Sequence, residues 1–193
     1  MEGTETHRRW LQRATVYFVS MTAAGGALGA ALSGAGAGVW ALAPDAQLPL
    51  AVALGAVALA YALREMGWLP LPVPGRDWQV PASWVRNGFY RSAAIFGATV
   101  GFGVFTRIPY ASMPVLLVWL FVLGNVPLGI ATGTMYGVLR ALSIYSSASS
   151  DEVEQLVKLN QRLIALTPVV HQVTGVALAV FGAYLVTAPY LQR

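Results

Sequence analysis

The chain has 193 residues, of which 56% are hydrophobic and 10% charged, with a net charge of +4 and a mean hydropathy of +0.61. An ordinary soluble domain carries about 25% charged residues, so this balance excludes a soluble globular class and points to an integral membrane protein. The basic excess contains no Lys/Arg run interleaved with aromatics, which argues against nucleic acid as a partner; the lack of cysteine excludes disulfides, thiolate metal sites and thiol redox chemistry within the chain.

A length of 193 residues leaves room for five or six spans of about 20 residues in one domain. After a polar head carrying Arg8, Arg9 and Arg13, the first apolar run covers 14–42 and is too long for the core of a secretory signal. Its interior is Gly and Ala, and Gly25/Gly29 and Gly34/Gly38 have the four-residue spacing that lets helix backbones approach closely. A turn at Ala43, Pro44 and Asp45 leads to a second span, 48–64, closed by Arg64 and Glu65. Segment 65–87 holds Pro70, Pro72, Pro74 and Pro81 with Trp68, Trp78 and Trp84, so it reads as an interfacial loop anchored by aromatic rings.

The run 88–122 is the centre of the reading. A straight helix of about 35 residues would be roughly 52 Å long against a hydrocarbon core of roughly 30 Å, and its middle, 106–114, contains Thr106, Arg107, Pro109, Tyr110, Ser112 and Pro114. The expected outcome is a Pro-broken helix with Arg107 near the membrane midplane. The alternative puts the turn at 107–110 in an external loop and makes 113–140 a long tilted helix. Arginine near a bilayer centre costs roughly 2.5 to 3.5 kcal/mol on insertion scales, so a buried Arg107 would face protein, water or ligand.

Gly124, Asn125, Val126 and Pro127 form a turn before a fourth span, 128–145, on which Gly129, Gly133 and Gly137 make a close-packing ladder. Stretch 151–164 reads as an amphipathic surface helix, followed by a last span over 166–187 that contains His171. With five crossings and the N-terminus inside, ten of the twelve Lys and Arg residues share one side, leaving Arg107 and Arg193. The expectation is an all-α polytopic bundle of about five spans in the cytoplasmic membrane, N-terminus cytoplasmic and C-terminus outside.

This succession of a Gly/Ala-rich span, YALREMGWLPLP, GFGVFTRIPYASMPVLL, GNVPLG, GTMYGVLRAL and HQVTGVALAVFGAYLV resembles the transmembrane thiol-disulfide carriers of cytochrome c biogenesis, the CcdA type and the membrane domain of DsbD proteins. The resemblance covers about 22–185 and implies their second to sixth helices. The first helix with its cysteine has no counterpart, and the second cysteine, implied just after a Thr-Pro pair, is replaced within Thr106, Arg107, Ile108 and Pro109. Thiol exchange needs a thiolate, so the family's electron transfer is not expected here.

Two functions follow. One is a small-solute carrier whose pocket lies at the broken helix, where Arg107 attracts an anionic group and Thr106, Tyr110 and Ser112 supply hydrogen bonds, assembled as a homo-oligomer in the bilayer. The other is a non-catalytic scaffold or accessory subunit of a membrane complex in cytochrome maturation or respiratory assembly. His171 is read as a hydrogen-bonded structural residue in preference to a haem or metal ligand, since His7 in the polar head gives it no clustered partner. All eight acidic residues fall at span ends or in loops, so no enzyme site, metal site or cofactor is assigned.

Overall fold

The computed structural model describes residues 2–72, 88–103, 110–146 and 153–191, without the side chains of 2–7, 89, 143–146, 153–160, 162, 163, 190 and 191. Among the described residues the protein is entirely helical. The helices are α1 (Glu2–Leu42), α2 (Gln47–Glu65), α3 (Phe89–Gly101), α4 (Ser112–Leu123), α5 (Val126–Ser146) and α6 (Val153–Leu191), with a 3-10 turn at Pro44–Ala46. Three stretches, Arg8–Leu42, Pro44–Glu65 and Ile164–Pro189, are long and apolar enough to cross a membrane, and Ser112–Leu123 is apolar but shorter.

Two elements differ from the sequence expectation. The surface helix at 151–164 and the last span at 166–187 are parts of one helix, α6, with Pro168 inside it. Helix is already present at Ser112, so Pro114 stands in the first turn of α4, where an amide N–H has no intrahelical acceptor to lose. Residues 104–109, with Thr106, Arg107 and Pro109, lie outside the described residues.

The chain divides into two compact units, Met1–Ala31 with Arg76–Arg107 and Val126–Asp151, and Leu32–Gly75 with Ile108–Asn125 and Glu152–Arg193. In the first, α1 packs on α5 and α3 through glycine. Gly25 lies against the Gly133 carbonyl and Gly29 against that of Gly129, and a Cβ on Gly137 would stand 2.8 Å from the Met21 carbonyl oxygen. Gly97 and Gly101 of α3 meet Tyr17 and Met21 in the same way. Met21, Val100 and Ala141 form the buried apolar centre, and the Tyr90 hydroxyl donates to Gln12 at 2.9 Å.

In the second unit, α2 and α6 run antiparallel. Gly55 faces Gly182, where a Cβ on either would come within 2.9 Å of the other's carbonyl oxygen, and Leu54, Ala58, Ala62, Leu178 and Leu185 fill the seam on both sides. The short α4 lies antiparallel to α2 and is held at both ends. At its C-terminus, Ser33 Oγ donates to the Leu120 carbonyl (2.9 Å), Trp40 Nε1 to Phe121 (3.1 Å) and Gln47 Nε2 to Val122 (2.9 Å). These carbonyls belong to the last turn, which has no intrahelical donor of its own, and an apolar surrounding makes such partners necessary. Gly124 ends α4 at φ +60, with the Trp40 indole so close that a Cβ would stand 2.7 Å from it.

Candidate functional site

The other end of α4 is where the chemistry lies. Glu65 is the last residue of α2 and its side chain is fully buried, the one charged group among the described residues that is. A carboxylate at a helix C-terminus meets the negative end of its own helix dipole. It is compensated by a second helix: Glu65 Oε1 accepts the backbone N–H of Ala111 at 3.0 Å, at the N-cap of α4, where the dipole favours an anion. The same oxygen accepts from Arg64 Nη1 at 2.8 Å. The other oxygen, Oε2, is bonded to Nδ1 of His171.

Local sequence sets each of these positions. Gly67 at φ +81 closes α2: its N–H bonds back to the Arg64 carbonyl and the Trp68 N–H to that of Leu63, the Schellman pattern that needs a left-handed residue at this point. The chain folds back far enough for the Leu71 carbonyl to accept from Arg64 Nε at 2.6 Å, which fixes the guanidinium, while the Tyr61 hydroxyl donates to the Pro72 carbonyl at 3.2 Å. On α6, Gly175 follows His171 by one turn. A Cβ there would stand 3.4 Å from Glu65 Cβ and 3.0 Å from Met66 Cγ, so the glycine lets α6 lie directly on the end of α2 and bring His171 to the carboxylate.

The cluster carries one positive guanidinium, one carboxylate and one imidazole. Burying an isolated carboxylate costs several kcal/mol, and here one fixed charge and one backbone donor offset that cost at Oε1. Arg64 and His171 retain 25% and 32% side-chain exposure, so the cluster reaches the surface of the unit through those two groups. The Tyr110 ring tilts against the imidazole with centroids 5.0 Å apart. One helical turn beyond His171, Thr174 joins Ser112, Val115, Trp119, Ala177 and Phe181 around an apolar groove of about 390 Å³.

Of the residues singled out from sequence, Tyr110, Ser112 and His171 therefore gather at the start of α4, while Thr106, Arg107 and Pro109 lie outside the described residues. His171 is hydrogen-bonded to Glu65. Glu65 and Arg64 were missed as site residues: both stand at a span end, as expected, and position alone does not reveal that the end is buried. A weak signal existed in the placement of Glu65 three residues after Ala62 and ten after Gly55, which puts it on the small-residue face of α2. Among the described residues no cluster of three metal-ligating side chains occurs.

No family model, no curated protein and no solved structure matches the chain.

Proposed function

We propose that the protein is a five-span membrane carrier for a small anionic solute, with its site at the start of α4, on a fold resembling the CcdA/DsbD type without its thiol chemistry. The observation that supports it is the buried Glu65 carboxylate bound to His171 and to the first backbone donor of α4. Ionisable groups inside an apolar helical bundle are costly, and where they persist they mark ion and solute pathways. Discontinuous helices whose N-termini point into the bundle are a common way for transporters to receive anionic groups. At about 18 Å, α4 has the length of a half-helix, and segment 106–109, immediately before it, brings Arg107 into the same stretch of chain.

In this reading Tyr110 and Ser112 supply hydrogen bonds to the solute and the charge of Arg107 attracts its anionic group, Arg64 being already neutralised by Glu65. The N-terminus, the loop around Gly75 and the stretch around Lys158 share the cytoplasmic side, and the C-terminus faces out. A Gly75→Cys variant of this cysteine-free chain should resist an impermeant thiol reagent added from outside.

Function is tested in proteoliposomes loaded with nitrate or chloride and in parallel by affinity purification from native membranes. Flux by the chain alone, reduced at least tenfold in Arg107→Ala, supports the carrier. A stoichiometric membrane partner with no flux contradicts it and assigns the chain as an accessory subunit.

A further inference from the structure

We infer that Glu65 and His171 form a proton-binding site, so that the carrier, if it acts as proposed above, moves or senses protons together with its solute. The inference rests on that reading for its role in transport and on geometry alone for the site.

The two carboxylate oxygens have different kinds of partner. Oε1 is occupied by donors that do not titrate in the physiological range, the Ala111 backbone N–H and the Arg64 guanidinium. Oε2 is bonded to a ring that can carry a proton on either nitrogen, the His171 imidazole. A carboxylate needed only to cap α4 would be complete with Oε1. The second oxygen instead fixes an imidazole in a defined orientation, with Nδ1 turned inward and Nε2 as the nitrogen left for water or ligand.

A proton that arrives through the partly exposed ring adds at the imidazole or is shared along the Nδ1 to Oε2 line; no bond other than N–H or O–H forms or breaks. Before it arrives, Arg64 and Glu65 cancel. Afterwards the cluster has a net charge of +1, which in a low-dielectric surrounding is unfavourable unless an anion accompanies it or the ring moves toward water. Protonation therefore favours an anion nearby or a displacement of α6 relative to α2, and either one links the proton to the solute.

The other groups that face the pair among the described residues leave it isolated. Arg64 is the charged neighbour on α2, with Tyr61 one turn away bonded to Pro72; Tyr110 is the titratable neighbour before α4; and on α6 the flanking turns offer Gly175, Thr174 and Thr167, none of which titrates.

The test uses the full chain in lipid nanodiscs with His7→Gln, which leaves His171 as the only histidine. Infrared difference spectra and dye-measured proton uptake are recorded between about pH 8 and about pH 5. The expected result is one step, with carboxyl and imidazole signals changing at the same midpoint and one more proton taken up per chain than in His171→Gln. Glu65→Gln should remove the carboxyl signal and displace the imidazole midpoint, and Glu65→Asp, which keeps the charge, should retain a joint step if the Gln variant does not fold. An imidazole midpoint identical with and without the Glu65 carboxylate, or no protonation of either group over that range, overturns the inference. Because no solute is present, a joint step without anion flux in liposomes leaves the proton site standing and removes the carrier; flux without the step removes the proton site alone.

Discussion

The crossing of α1 with α5 and the crossing of α2 with α6 both bring two backbones together through glycine, yet they end differently. At the first, Gly25 and Gly29 meet Gly133 and Gly129, backbone on backbone. At the second, Gly55 meets Gly182, and three turns along the same face the seam terminates in Glu65 and His171. The first pair is held by glycine contact and by the Met21 and Ala141 packing beside it, with no buried charge among the described residues, so the buried Glu65 at the end of the second is more than packing requires. That difference is why the α2 and α6 seam is the functional candidate.

The largest effect should come from filling the first crossing. Gly29→Leu places side-chain atoms onto the Gly129 carbonyl, where both partners are backbone and neither can yield. Overpacking of this kind costs about 3 kcal/mol, enough that thermal unfolding in detergent should shift downward by several degrees. An unchanged melting temperature would break the comparison, because the first pair would then not depend on close approach.

Next is removal of the polar terminus. Glu65→Ala leaves the Ala111 N–H and the Arg64 guanidinium without their acceptor, and should destabilise by about 1 to 3 kcal/mol. Glu65→Gln keeps the volume and an acceptor oxygen and should cost about half as much, although both lose the proton site. A smaller loss follows Ser33→Ala, which strips one donor from the last turn of α4 and should cost about 1 kcal/mol. Denaturant titration of the three variants against the parent gives the order directly.

The smallest change sharpens what glycine spacing means. Gly38 has nothing within 4 Å of where its Cβ would be, whereas Gly25, spaced from Gly29 as Gly38 is from Gly34, presses on the Gly133 carbonyl. Gly38→Ala should therefore leave stability unchanged or raise it by about 0.5 to 1 kcal/mol through helix propensity, and Gly25→Ala should lower it.

That contrast shows how far the residues could be read alone. A four-residue glycine ladder is legible because a helix crossing leaves a periodic trace on each partner, and Gly129, Gly133 and Gly137 meet the early part of α1 accordingly. The same spacing at Gly38 marks no close contact: Ser33, Gly36 and Trp40, which hold α4, lie on another face of α1. The helices themselves were legible from apolar runs and proline punctuation, except that the boundary read between 164 and 166 lies inside the continuous helix α6. Glu65 and His171 are 106 residues apart. Nothing local in either marks the other as its partner, because the bond exists only once Gly175 lets α6 settle on the end of α2.

The central claim is that the Glu65 carboxylate and the His171 ring are bonded to each other inside the helical seam. A double-mutant cycle measures that bond most directly: stability of the parent, Glu65→Gln, His171→Gln and the double variant, each by reversible unfolding in lipid bicelles. The account predicts that the two single losses do not add, with a coupling of about 0.5 to 1.5 kcal/mol, the size of one hydrogen bond. Additivity within about 0.3 kcal/mol would contradict it and reduce Glu65 to a cap on α4.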